Sequence, residues 1–121
     1  MAKRVAVLGA SSDPTRYSYR AVKTLAEKGH IPVPVTLKEE EILGFPAVRD
    51  VSDVEGSIDT VTVYVNPTVL ASLADSVIAA SPRRIIMNPG TEDAQLKSNF
   101  EQAGIEVMEA CTLVLLSTGQ F

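Results

Sequence analysis

Apolar and polar positions along the chain form short runs that alternate between two periods. "RVAVLG" (4–9) is a continuous apolar run, rich in β-branched residues and closed by glycine, the pattern of a buried strand. A helical period follows, with Ser18 as its predicted cap, running to about Lys28. Ala21, Val22, Leu25 and Ala26 share one face, Arg20, Lys23 and Glu27 lie opposite, and Gly29 is a natural residue to end it. "IPVPV" (31–35) is the second predicted strand, and its two prolines place it away from the sheet centre or at a strand end.

Residues 36–57 are the least regular. "EEE" reads as a solvated helical turn, and "GFPAVRDVSDV" as a short extended piece near Val48 followed by a helical turn near Ser52. "IDTVTVYV" (58–65) carries the strongest strand signal. Asn66 as cap and Pro67 at the first helical position then open a helix. Its stripe is Val69, Leu70, Leu73, Ala74, Val77 and Ile78. "RRIIM" (83–87) is a further strand. A helix capped by Thr91, with Glu92 and Asp93 in its first turn, ends at Gly104 and turns Leu96, Phe100 and Ala103 inward. "IEVM" (105–108) is the last strand, and "EACTLVLLSTGQF" closes the chain as a short helix laid on the sheet.

Strands alternating with helices predict an α/β fold. The expected architecture is a Rossmann-like three-layer αβα sandwich around a mainly parallel five-stranded sheet of order 3-2-1-4-5, with right-handed crossovers. The length of 121 residues suits one domain, 1–121. A 45% hydrophobic and 21% charged composition is that of a soluble globular protein. No apolar run reaches the roughly 18 residues of a membrane span. The N-terminus enters a strand at once, without the pattern of a secretory leader, and the cytoplasm is the expected location. The single Cys111 excludes an internal disulfide and a multi-cysteine metal site, and is read as a buried, unreactive thiol. With no Trp and 5% aromatic residues there is no stacking platform for nucleic acid.

The net charge of −4 hides an asymmetry. Residues 1–38 hold seven of the eleven basic residues and only two of the fifteen acidic ones, which suits an anion bound near the first third of the chain. In an open parallel sheet the ligand sits beyond the carboxyl ends of the strands, at the topological switch point. That rule selects four loops: "GASSDPTRYS", "TLKEEE", "NPT" and "NPGTE". The first leads to a helix start, whose unpaired N–H groups attract a phosphate, with Ser11, Ser12, Ser18 and Arg16 beside them. It holds one glycine where a dinucleotide fingerprint holds three. After the second strand the first charged residue is Lys38, which fits a phosphorylated ribose, whereas Glu39, Glu40 and Glu41 would repel a phosphate if they faced it. Asn66–Pro67 and Asn88–Pro89 repeat one device, a capping Asn and a φ-fixing Pro, and Gly90 allows close backbone approach.

No catalytic set assembles. His30 lies in a turn at the far end of its helix from the binding edge, and neither a metal-spaced histidine pair nor a P-loop occurs.

"VAVLGAS", the P-x-R-x-S stretch 14–18, "LGFPAV", "DTVTVYVNP", "NPGTE" and "EACTLVLLSTGQF" together resemble the small stand-alone CoA-binding domain proteins. These are similar to the N-terminal CoA-binding domain of succinyl-CoA synthetase α-subunits. The resemblance spans essentially the whole chain and implies a Rossmann-like domain that binds coenzyme A, without known catalysis. It implies that Gly9, Ala10, Ser11 and Ser12 form the phosphate-side loop, with Arg16 and Ser18 following. Lys38 matches the basic residue that meets the phosphorylated ADP end. Val65, Asn66 and Pro67 match the turn on the adenine or pantetheine side, and Asn88, Pro89 and Gly90 the next turn. One departure stands out: Thr36-Leu37 replaces the Asn-Pro that precedes the lysine in the family pattern.

The leading expectation is non-catalytic binding of coenzyme A or acyl-CoA by a carrier, sensor or regulator. An NAD(P)-binding module or enzyme fragment, and a protein-interaction module with a vestigial pocket, are the alternatives. The apolar "LVLLSTGQF" packs on its own chain or on a second subunit, which leaves a homo-oligomer or a protein partner open.

Overall fold

The computed structural model describes residues 2–121; Met1, the first residue of the expected domain, lies outside them. The chain runs through β1 (Arg4–Leu8), α1 (Tyr17–Glu27), β2 (Ile31–Val35), a hairpin of β3 (Glu41–Ile42) and β4 (Phe45–Pro46), and a 3-10 turn at Val51–Asp53. It continues through β5 (Thr60–Val63), α2 (Pro67–Ala80), β6 (Arg84–Met87), α3 (Ala94–Gln102), β7 (Glu106–Glu109) and α4 (Thr112–Ser117).

The five longer strands form one parallel sheet in the order β2-β1-β5-β6-β7. Val48 adds a single parallel bridge to Val35 on the outer side of β2. Counted as the third extended segment, it makes the run Val48, β2, β1, β5, β6 the expected 3-2-1-4-5 pattern, with β7 beyond. The prolines of β2 obey the edge rule. Ile31 N–H donates to the Lys3 carbonyl, so the odd positions face β1. The Pro34 carbonyl accepts from Val48 N–H on the outer side, where the missing proline N–H groups interrupt no ladder.

Both faces of the sheet are covered, which is why its strands read as unbroken apolar runs. Along β1 the side chains alternate: Val5 and Val7 pack with Val22 and Leu25 of α1 and Leu116 of α4. Ala6 and Leu8 face the other cluster, which takes Leu70 and Val77 from α2 and Leu96 and Phe100 from α3. The result is a three-layer αβα arrangement. Among the described residues no helix is long and apolar enough to cross a membrane.

Several local expectations are corrected. Ser18 does not cap α1; Arg16 holds that position without a side-chain bond, and Ser18 is buried as the second residue of the helix. Thr91 does not cap α3 either, because Asp93 takes the Leu96 N–H while Thr91 Oγ1 donates back to the Asn88 carbonyl. "EEE" makes no helical turn: Glu41 enters the β3–β4 hairpin, where the 42–45 turn has Leu43 and Gly44 both at positive φ. Val69 is 41% exposed because it lies in the first turn of α2, above the sheet's end, and Ala103 is exposed at the end of α3. The extended piece at Val48 and the helical turn at Ser52 are both present.

Candidate functional site

The connection out of β1 sits at the switch point, between β2 and β5. Gly9 and Ala10 N–H groups both donate to the Val35 carbonyl at the end of β2. Gly9 has φ +80°, and a Cβ there would meet Val65 Cγ1 at 2.8 Å and the Tyr64 carbonyl at 3.2 Å. The glycine is therefore needed for both its dihedral and its close approach to the end of β5. Beyond it, Asp13 braces the loop by accepting from Thr15 N–H (2.9 Å) and Thr15 Oγ1 (2.7 Å). Those bonds hold the Asp13 carboxyl below the usual carboxylate range.

The loop delivers the chain to an open helix start. α2 is capped by Asn66 and α3 by Asp93, each accepting an N–H of its own first turn. α1 alone among the three longer helices begins without a side-chain cap, and like the other two it has no acid in its first turn. Its leading N–H groups carry the partial positive charge of the helix terminus.

Two cavities open along this edge and meet at Tyr64. The first, of about 380 Å³, lies between the β1 loop (Gly9, Ala10, Ser11, Arg16) and the β2 connection (Thr36 to Glu39), with Arg49 beside it. Val65, Val69 and Leu73 give it an apolar side. The second, of about 230 Å³, is lined by Tyr17, Tyr64, Asn88, Pro89, Cys111 and Leu113. More open depressions beside Ser57 and beside His30 are of similar or larger volume and also have cations, Lys3, Arg4 and Arg83 in the first and Lys28 in the second, but they lie at the amino ends of the strands, away from the switch point.

The expected site residues divide accordingly. Gly9, Ala10, Ser11, Arg16, Lys38 and Val65 line the first cavity, and Asn88 and Pro89 the second. Ser12 stands at the rim, its N–H donating to Glu39 Oε2 at 2.8 Å. Ser18 lines neither cavity: it is 4% exposed, on the inner side of α1. Asn66 spends its side-chain oxygen on Val69 N–H, Pro67 is the first residue of α2, and Gly90 is exposed, with its N–H on Glu92 Oε1. Cys111, expected to be buried, is half-buried and faces the second cavity.

Sequence reading missed Arg49, Tyr17 and Tyr64. Arg49 sits in the irregular segment, with no periodic signal to orient it. Tyr64 follows β5 directly, where the strand-end rule could have found it. Its hydroxyl is buried beside the Thr62 and Thr112 hydroxyls without a well-formed hydrogen bond, and burial, partly offset by those two neighbours, pushes the phenol up to about 12.

Comparison with known proteins decides the family. The model of the CoA binding domain family matches residues 3–117. The chain belongs to the CoA binding domain family. An uncharacterized protein of Bacillus subtilis, YneT, is 32% identical over 113 residues, covering 93% of this chain and 84% of its own. The alpha subunit of an ADP-forming acetate–CoA ligase II of Pyrococcus furiosus is 37% identical over 62 residues. That match spans 50% of this CoA binding domain chain and 14% of the ligase subunit. A crystal structure of an uncharacterized protein, 39% identical, superposes with a TM-score of 0.93 over 100% of this chain and 99% of its own. The Rossmann-like α/β fold is thus shared with that uncharacterized protein along its whole length.

Proposed function

We propose that this chain binds coenzyme A or an acyl-CoA as one module, without transforming it, and serves as a carrier, sensor or regulator. One observation carries the reading: the uncapped start of α1 shares an edge with three cations, Arg16, Lys38 and Arg49, none of them in an ion pair among the described residues. That combination suits a polyanion, with the helix N–H groups and the Ser11 and Ser12 loop toward the diphosphate. Lys38 would meet the ribose phosphate, and the Val65, Val69 and Leu73 side offers an apolar surface for the adenine.

The second cavity fits the pantetheine arm. It is largely apolar, and the Tyr64 ring forms part of its wall. His30, the chain's one histidine, packs on Phe121 at the opposite edge, and the reading assigns no catalytic step.

Calorimetric titration with CoA, 3′-dephospho-CoA, NADPH and NADH tests this. CoA is expected to bind most tightly, and Arg16→Ala to weaken it by about 1.5–3 kcal/mol, the range of a charge-assisted hydrogen bond. NADPH binding more tightly than CoA would restore the dinucleotide reading. Binding of none of the four would leave a protein-interaction module.

A further inference from the structure

The β2 connection places an acid where the proposed ligand brings a phosphate. Of the three consecutive glutamates, Glu40 and Glu41 are exposed, whereas Glu39 is half-buried and turned into the first cavity. Its Oε2 accepts the Ser12 N–H at 2.8 Å, reaching across from the end of β2 to the loop after β1. The other bonded amides of that loop are satisfied close by: Gly9 and Ala10 on Val35, Asp13 on Ser11 Oγ, Thr15 and Arg16 on Asp13. Ser12 alone among these gives its N–H to a charged group from across the cavity.

Glu39 takes this amide although Arg16, Lys38 and Arg49 line the same cavity, and it forms an ion pair with none of them. The cations stay open to a ligand while one backbone donor is occupied. A carboxylate on an N–H donor has the charge and acceptor geometry of a phosphate oxygen.

We infer that Glu39 is an internal anion that holds the diphosphate position at the Ser12 amide and sets the affinity of the groove. This rests on the coenzyme reading above. A ligand diphosphate exchanges with the carboxylate at Ser12 and then feels it as a neighbouring like charge. Glu39 therefore lowers affinity for every ligand that brings a diphosphate to the Ser12 amide, whatever its other end carries.

The test is titration of wild type, Glu39→Gln and Glu39→Ala with both CoA and 3′-dephospho-CoA. Gln keeps an acceptor for the Ser12 N–H without the charge; Ala removes both. Each variant is expected to bind each ligand about tenfold more tightly, equivalent to ~1.4 kcal/mol, the scale of one unit charge removed a few ångströms from a phosphate near the surface. An equal gain on the two ligands supports the diphosphate position. A gain on CoA alone overturns it, because Glu39 would then oppose the ribose phosphate. Unchanged or weaker binding by variants of a wild type that binds CoA overturns the inference and leaves the coenzyme reading standing. Binding of neither ligand by any of the three proteins fails both. The ligand-free Ser12 amide proton resonance gives a second readout: it is expected to move upfield in Glu39→Ala, and an unmoved resonance overturns the contact.

Discussion

Asn88 Oδ1 accepts the backbone N–H of Thr112 at 2.9 Å, joining the end of β6 to the first residue of α4. The Asn88 amide also donates to Thr62 Oγ1 (2.7 Å) and the Val63 carbonyl (2.9 Å), and the Thr62 and Thr112 hydroxyls lie 2.8 Å apart. Asn88 is 3% exposed, so its side chain is bonded within the protein and what it offers the second cavity is shape.

Asn88→Ala leaves a backbone N–H, a carbonyl and a hydroxyl short of partners inside the protein. A loss of about 3 kcal/mol is expected. Urea denaturation followed by circular dichroism reads it as a lower midpoint; an unshifted midpoint would show that the network is dispensable.

Gly9→Ala puts a Cβ 2.8 Å from Val65 Cγ1 at a φ of +80°. The strain is expected to cost about 1–3 kcal/mol and to move the loop away from β5. Thermal denaturation and CoA titration of the same variant check the two effects together, and a variant as stable as wild type contradicts the close-approach argument.

Lys38→Ala and Arg49→Ala separate the phosphates. Lys38→Ala is expected to weaken CoA roughly fivefold more than 3′-dephospho-CoA, about 1 kcal/mol of charge-assisted contact. Arg49→Ala is expected to weaken both. Equal losses on the two ligands for Lys38→Ala would remove it from the ribose phosphate.

The opposite edge of the sheet carries a pH dependence. His30 Nδ1 accepts the Lys3 N–H at 3.1 Å and its ring packs 5.1 Å from Phe121. Burial, then the Lys3 charge, holds the imidazole below its usual 6.5. A histidine with a lowered folded value favours the native state above 6.5, and that contribution is lost as pH falls through 6.5 toward the folded value. Stability is expected to decline from pH 6.5 to roughly pH 5, before the carboxylates titrate, and to stay flat over that range in His30→Gln. Guanidinium midpoints across the window measure it; an equal decline in the variant excludes His30 as the source.

Much of the site's outline was legible in the chain. The β1, β5 and β6 runs are apolar enough to be strands buried on both faces, and the loops that follow them must therefore line the ligand edge. Gly9 and Pro89 line the cavities at that edge as this placement expects, and Lys38 does so from the connection after β2. Side-chain roles were harder to read. Ser18 looked like a cap because its residue type suits one, but burial decided otherwise. Arg84 reads as one more residue of a strand. In the fold it is 4% exposed, with Nε on Thr60 Oγ1 at 2.9 Å and its guanidinium 4.4 Å from the Phe121 ring.

Local sequence determined the periodicity, the strand edges marked by Pro32 and Pro34, and the clustering of cations in the first third, because dihedral preference and hydrophobic burial act over a few residues. Tertiary structure alone decided that Glu39, rather than Glu40 or Glu41, turns inward, and that Arg49 joins Arg16 and Lys38. It also brought Cys111 and Tyr64 to one cavity. Those placements depend on which strand ends lie side by side, and contacts between residues far apart in the chain leave no local pattern to read.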